Sequence, residues 1–225
     1  MQFGKSFSFM FKDENWITKF FLAVVISLIP VIGQVTVLGW TVEITRRVIH
    51  GDEEVLPDWG GFVDYLIHGL VAMLIGFVYM LPFILFQICG GSIMAFTQES
   101  GGDAATLGMI AGICVTTIAI IYAVLVGFLI MAAIGIYADT GEIGAAFRIG
   151  EAFKLVKAAP VAYLLVFLGA MLAGLIASLG IILCFIGIFV TTVFAQIITA
   201  HLEGQAYREA KLNMGDDNLL PDSAL

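Results

Sequence analysis

The sequence has very few charged residues. Only 12% of its 225 residues are Asp, Glu, Lys or Arg, whereas 60% are hydrophobic. Soluble domains have about 25% charged residues, because a water-exposed surface must be covered by polar groups. Four stretches contain no Asp, Glu, Lys or Arg at all: 20–42, 65–98, 104–138 and 158–202. This lack of charge excludes an ordinary soluble domain and predicts an integral membrane protein.

Other absences narrow the class of function. A net charge of −8 and the lack of a basic cluster argue against a nucleic-acid partner. The three cysteines, Cys89, Cys114 and Cys184, are far apart in sequence and lack metal-ligand spacing, so we expect no metal and no other cofactor. No GxSxG, HExxH or phosphate-binding glycine loop is present. We therefore expect that the protein is not an enzyme.

The apolar stretches are long enough to cross a membrane as helices. A helix of about 20 residues spans a hydrocarbon core of about 30 Å. As one helix, the stretch 158–202 would be about 68 Å long, so it must fold back and cross twice. Five crossings are then the minimum. Barrel strands alternate apolar and polar residues, and these stretches do not. We predict an all-α polytopic transmembrane bundle of five to six helices, with short interfacial amphipathic helices.

The first apolar stretch has two interpretations. Residues 30–33, Pro-Val-Ile-Gly, either kink a single crossing or form the tip of a helical hairpin. Lys and Arg accumulate in cytoplasmic loops. A hairpin places all ten basic residues of the chain on one side, so it favours six segments with both termini in the cytoplasm. The first helix of such a hairpin would be only about 21 Å long.

The predicted elements follow from these boundaries. Residues 1–213 form one transmembrane domain, and residues 214–225 form a polar tail that we expect to be disordered. We predict an amphipathic helix at the membrane surface over 143–157. The predicted membrane helices are 16–29, 31–49, 64–96, 105–138, 159–179 and 182–211.

An internal repeat is possible. Pro-Val-Ile-Gly at 30–33 and Cys-Phe-Ile-Gly at 184–187 each precede an apolar helix that ends near a histidine, His50 or His201. Internal repeats are common in membrane transport folds. Chance similarity between two apolar helices is the alternative explanation.

Two kinds of candidate residue lie within the membrane segments. Gln34, Gln87 and Gln196 are the most polar side chains there, and they either join helices by hydrogen bonds or contact a solute. Small residues such as those of Gly108-x-x-x-Gly112 and Gly169-x-x-x-Ala173 let helices approach closely. They indicate packing within the bundle, or alternatively self-association with a second copy or another membrane protein.

A second group of candidates lies at the predicted cytoplasmic ends. These residues either form salt-bridged helix ends or contact lipid headgroups or a partner protein. They are Glu43, Arg46 and Arg47 at one helix end, Pro57, Asp58 and Trp59 in the following linker, and Arg148 in the surface helix.

Several motifs carry a family resemblance. They are Asn15-Trp16, Gly39-Trp40, the linker Gly51-Asp-Glu-Glu-x-Leu56-Pro57-Asp58-Trp59, Tyr137-x-x-x-Gly141 and His201-x-x-Gly204. With these motifs the chain resembles a prokaryotic membrane family known as domain of unknown function 4013. The resemblance implies a small multi-pass protein of a bacterial or archaeal plasma membrane. It supplies no catalytic residues.

Two functions are compatible with these features. The first is a non-enzymatic accessory or scaffold subunit that contacts lipid headgroups or a partner through its cytoplasmic linkers. The alternative is a transporter or channel for small or apolar solutes, for which the possible repeat and the helix-breaking Pro30 and Pro82 are the reasons.

Overall fold

The computed structural model describes residues 3–180 and 184–216, and these residues form helices and short connections without a strand. Short 3-10 turns accompany the α-helices, for example at Phe9–Lys12 and Trp59–Gly61. The α-helices are α1 (Lys5–Ser8), α2 (Trp16–Ser27), α3 (Ile32–His50), α4 (Phe62–Ser100), α5 (Gly102–Thr140), α6 (Ile143–Ala146), α7 (Ile149–Ala158), α8 (Pro160–Leu179) and α9 (Cys184–Asn213).

Four helices of the described chain, α4, α5, α8 and α9, are long and apolar enough to cross a membrane. The predicted helical bundle is therefore confirmed, but the count of five to six crossings is not. Helix α2 has 12 residues and is about 18 Å long, which is shorter than a hydrocarbon core. Helix α3 has 19 residues but carries three charged side chains near its end.

The first apolar stretch folds back on itself. Helices α2 and α3 are joined by residues 28–31, and the Gln34 side chain donates a hydrogen bond to the Ser27 carbonyl (2.7 Å). Gly33 packs directly on the backbone of α2, because a Cβ at this position would lie 1.8 Å from the Ile26 carbonyl oxygen. Pro30 lies in the turn, where its missing N–H costs no helical hydrogen bond. The stretch is thus a helical hairpin and not one kinked helix.

Helices α8 and α9 form a second hairpin beside the first. Thr191 on α9 donates a hydrogen bond to the Ala177 carbonyl on α8 (3.0 Å). Helix α9 also packs along α3, where Thr45 donates to the Ala200 carbonyl (3.2 Å). A hairpin therefore lies at each position of the possible repeat. The first helices of the two hairpins differ in length, 12 against 20 residues, and the internal duplication stays a prediction.

Helices α4 and α5 form a long antiparallel pair. Each has 39 residues and is about 58 Å long, so each is longer than a bilayer core is thick. The Tyr122 hydroxyl donates to the Tyr79 carbonyl (2.9 Å) near the middle of the pair. The half of the pair that contains the connection between α4 and α5 comprises residues 81–118. None of the described side chains of this half belongs to a hydrophobic core cluster. Gly108 packs on Thr97, so the Gly108-x-x-x-Gly112 face is used inside this pair.

The predicted surface helix over 143–157 is divided in two. Helix α6 ends at Ala146 and α7 starts at Ile149, because the backbone at Arg148 (ψ 81°) leaves the helical conformation. Helix α7 buries Ala152 and Leu155, and it packs on α5 and α9. The tail predicted to be disordered, 214–225, lies outside the described residues after Asp216.

Candidate functional site

A cavity of about 320 Å³ lies between α3, α5, α8 and α9. We call it the Glu203 cavity. Its wall combines small apolar residues with hydroxyl, amide and carboxyl groups. The polar residues that line it are Thr41, Thr45, Thr192, Gln196, Thr199 and Glu203.

Small residues on α8 leave the space for this cavity. Ala170, Ala173, Gly174 and Ala177 follow the helical spacing i, i+3, i+4, i+7 and share one face, which lines the cavity. A Cβ added at Gly174 would meet no atom within 4 Å. Gly169 lies instead against Leu202 of α9. The small residues of α8 thus serve both close packing and the cavity wall, and self-association through them stays a prediction.

The polar side of the cavity comes mainly from α9. Thr192, Gln196, Thr199 and Glu203 are spaced four, three and four residues apart, so they form one stripe along the helix. Of these residues, only Gln196 is a candidate from the sequence. Glu203 follows a charge-free stretch directly, where a charged residue is expected at a helix end, so its type alone does not mark it as a site residue. The signal that could identify it is the seven-residue spacing from Gln196, which places both residues on one face of a helix.

The threonines of the cavity already donate their hydroxyl hydrogens. Thr41 donates to the Leu38 carbonyl (2.7 Å), Thr45 to the carbonyls of Thr41 (3.1 Å) and Ala200 (3.2 Å), and Thr199 to the Ala195 carbonyl (2.9 Å). A hydroxyl that donates in this way keeps its lone pairs as acceptors. These threonines therefore offer acceptors to the cavity.

Three other polar groups, two in the cavity wall and one outside it that interacts with Glu203, have no hydrogen-bond partner among the described residues. The Gln196 Oε1 atom is buried without a hydrogen bond. The half-buried Glu203 carboxyl makes no hydrogen bond or ion pair. The Tyr163 hydroxyl is buried without a partner and interacts electrostatically with Glu203. Buried polar groups are nearly always hydrogen-bonded, so these exceptions make the Glu203 cavity the candidate functional site.

The predicted linker residues are held by internal contacts. Trp59 stacks on the fully buried Trp40 (ring centroids 5.1 Å apart) and donates to the Lys19 carbonyl (2.9 Å). Trp40 donates to the Pro57 carbonyl (3.0 Å). The Lys19 ammonium group contacts Asp13 (2.8 Å) and Asp58 (3.2 Å). Residues 57–59 therefore fasten α2 to α3, and contact with a partner stays a prediction.

The predicted charged residues at the end of α3 form one cluster. Glu43 accepts hydrogen bonds from Arg46 (2.7 Å) and Arg47 (3.2 Å). Burial alone would raise the pKa of the Glu43 carboxyl, but the two guanidinium groups outweigh burial and hold that pKa below its usual range. Arg47 also donates to the Glu54 carbonyl (2.8 Å), which ties the linker to α3.

The remaining predicted residues lie apart from these clusters. Arg148 is exposed on the turn before α7 and pairs with Glu151 (3.2 Å). Gln87 is exposed on α4, and Gln34 bonds within the first hairpin. In the described part of the chain, no three His, Cys, Asp or Glu side chains are close enough together to hold a metal ion.

A helical bundle in which four helices can cross a bilayer, and in which three of these line a partly polar cavity together with α3, defines a multi-pass membrane protein. The chain belongs to the family described as Protein of unknown function (DUF4013), whose sequence profile matches residues 22–202. The family resemblance noted from the motifs is thus confirmed. No curated protein and no solved structure matches the chain.

Proposed function

We propose that this protein is not an enzyme but a membrane carrier that binds a small solute in the Glu203 cavity. The observation that carries the proposal is the pair of unpartnered polar groups, Gln196 Oε1 and the Glu203 carboxyl, in a cavity of about 320 Å³. Polar groups inside a membrane protein are costly without a partner and commonly mark a substrate path. A bound solute would supply the missing partners.

Polar groups continue from this cavity toward the turn of the first hairpin. Thr192 also lines a second cavity of about 180 Å³, together with Ser27 and Gln34. Glu203 lies eleven positions after Thr192, which is about 16 Å along α9. Together the two cavities provide polar contacts over the middle of α9, which supports movement of a solute along this part of the helix.

In this proposal the protein lies in the plasma membrane of a bacterium or archaeon, with both termini in the cytoplasm. Lys5, Gly51 and Arg208 line one cavity, so the N-terminal segment, the end of α3 and the end of α9 meet at one end of the bundle. Basic residues at one end favour a cytoplasmic location for that end. The family resemblance supports a prokaryotic membrane.

Cysteine labelling tests whether a solute can reach the cavity. In a variant lacking Cys89, Cys114 and Cys184, Gly174→Cys places a thiol in the cavity wall. Leu175→Cys, one residue further on α8 and 63% exposed on the outer surface, is the matched control. A membrane-impermeant methanethiosulfonate reagent reacts with the thiolate, which forms readily only in water, so Gly174→Cys should react about tenfold faster or more. Equal rates would contradict an accessible cavity.

A second candidate function is the accessory subunit that contacts lipid headgroups or a partner. The observation in its favour is the exposed acidic linker, Asp52, Glu53 and Glu54, near the exposed Arg46. Charge reversal by Glu53→Lys with Glu54→Lys should reduce recovery of a co-purifying protein from native membranes. Glu99→Lys, at the exposed end of α4, is the control. The same partner recovery from both variants would contradict this function.

A further inference from the structure

We infer that the solute of the Glu203 cavity is a small primary ammonium ion, with Glu203 as its counter-ion. This inference rests on the proposed function of the same cavity and names its substrate class. Charge, hydrogen-bond polarity and the chemistry of the wall each support it independently.

The charge of the cavity wall favours a cation. Among the described residues that line the cavity, Glu203 is the one with an ionisable side chain, and no Lys, Arg or His lines it. A carboxylate removed from water is stabilised only when it is paired with a positive charge or with hydrogen-bond donors. A bound cation supplies such a pair, whereas an anion would be repelled.

The hydrogen-bond polarity of the wall favours a donor. The hydroxyl groups of Thr41, Thr45 and Thr199 donate their hydrogens to backbone carbonyls, so toward the cavity they can act only as acceptors. Gln196 Oε1 and the Glu203 carboxylate are further acceptors. The Gln196 amide nitrogen and the Thr192 hydroxyl can still donate, so acceptors predominate without being exclusive. A primary ammonium group has three donors and no acceptor, which matches this wall.

The size and the apolar wall favour an organic ion over a bare metal ion. Ala170, Ala173 and Ala177 provide an apolar surface opposite the polar stripe of α9, and this surface suits an alkyl chain. The volume of about 320 Å³ is near the lower limit of small-molecule sites. Among the residues that the structure describes, no Phe, Tyr or Trp lines the cavity. Quaternary ammonium ions are typically recognised by aromatic faces, so the site favours a primary amine.

Titration calorimetry of the full chain in lipid nanodiscs tests the inference, with butylammonium chloride as the probe and empty nanodiscs as the blank. We expect saturable binding that Glu203→Gln weakens about tenfold or more, because a hydrogen bond to a charged group is lost. Glu151→Gln, on the exposed face of α7, should bind as the wild type does. Gly174→Leu, which fills the cavity without removing the Glu203 carboxyl group, should abolish binding.

Other cations test whether the cavity is specific for a primary ammonium ion. Tetramethylammonium chloride should bind about tenfold more weakly than butylammonium, since it has no N–H donors. Absence of butylammonium binding, equal binding to Glu203→Gln, or tighter binding of tetramethylammonium or sodium ions would overturn the inference. If Gly174→Cys is labelled rapidly but butylammonium does not bind, the inference alone fails. If Gly174→Cys is not labelled, the carrier proposal fails.

Discussion

The surroundings of Lys19 and the Glu203 cavity are two polar regions of one apolar bundle, and they differ in how their polar groups are satisfied. Around Lys19, the ammonium group contacts Asp13 and the Leu56 carbonyl, and the nearby tryptophans donate to backbone carbonyls. In the Glu203 cavity, the carboxyl and the Gln196 Oε1 atom have no partner among the described residues.

This difference separates structural from functional polarity. A polar group that is fully bonded within the protein contributes to stability and has little capacity left for a ligand. A polar group without a partner lowers stability and retains that capacity. The contacts of the Lys19 region hold α2 and α3 together, and the unpartnered groups of the Glu203 cavity are the reason why we propose that this cavity binds a solute.

The largest expected effect is on stability at the Lys19 region. Trp40→Ala removes a fully buried indole, its stacking on Trp59 and its hydrogen bond to Pro57. The free energy of unfolding in detergent should fall by about 3–5 kcal/mol. Phe11→Ala, at a side chain that is 53% exposed, is the control and should change it little. A small effect of Trp40→Ala would contradict a structural role for residues 57–59.

The next effect has opposite signs in the two regions. Lys19→Met leaves Asp13 and the Leu56 carbonyl without their donor, so the free energy of unfolding should fall by about 1–3 kcal/mol. Glu203→Gln removes a carboxyl group that has no hydrogen-bond partner among the described residues, so that free energy should stay the same or rise by up to about 2 kcal/mol. Equilibrium unfolding of both variants measures the contrast. If Glu203→Gln destabilises the protein as much as Lys19→Met, Glu203 has a structural partner.

Two glycines provide a smaller contrast of the same kind. A Cβ at Gly204 would lie 2.8 Å from the Thr45 carbonyl oxygen, whereas one at Gly174 would enter open space. Gly204→Ala should lower the unfolding free energy by about 1–3 kcal/mol through overpacking. Gly174→Ala should raise it by about 0.5–1 kcal/mol, because alanine favours the helix. Thermal unfolding of both variants checks the two signs, and destabilisation by Gly174→Ala would argue against an open cavity wall.

The smallest expected effect concerns the ion pairs at the end of α3. Because the pKa of Glu43 is lowered in the folded protein, its contribution to stability is present above the unfolded-state pKa of about 4.3. That contribution is lost as pH falls through the lower folded-state pKa. Arg46 is half exposed, so the loss should be below about 1 kcal/mol. Unfolding measured across this pH range should show a shallower slope for Glu43→Gln than for the wild type.

The sequence was sufficient to predict the elements that depend on local composition. The charge-free stretches mark most of the helices, and Pro30 with Gly33 marks the turn between α2 and α3. The number of membrane crossings could not be predicted from the charge-free stretches. Helix α2 is too short to cross, and α4 and α5 extend well beyond a bilayer thickness. An apolar stretch shows which residues can lie in lipid, but the packing of the helices decides where each helix begins and ends. The number of crossings depends on those helix ends.

The candidate site was less predictable. Gln196 is a predictable candidate because it is polar within an apolar stretch, but its place beside Glu203 in one cavity wall depends on the face that α9 turns toward α3 and α8. The Trp59–Trp40 contact joins a linker to the middle of α3, and no local pattern indicates such a pairing. The linker motif is the most specific part of the family resemblance, and its residues 57–59 fasten helices together. The structure therefore favours the Glu203 cavity over the linker as the candidate functional site.

A crystal structure of the protein, from crystals grown in a lipid mesophase with butylammonium chloride, would show directly whether an ammonium ion occupies the Glu203 cavity. We expect an ammonium nitrogen within hydrogen-bond distance of the Glu203 carboxylate, with its alkyl chain against the alanines of α8. A closed cavity in which Glu203 and Gln196 are hydrogen-bonded to other groups of the protein would contradict this expectation.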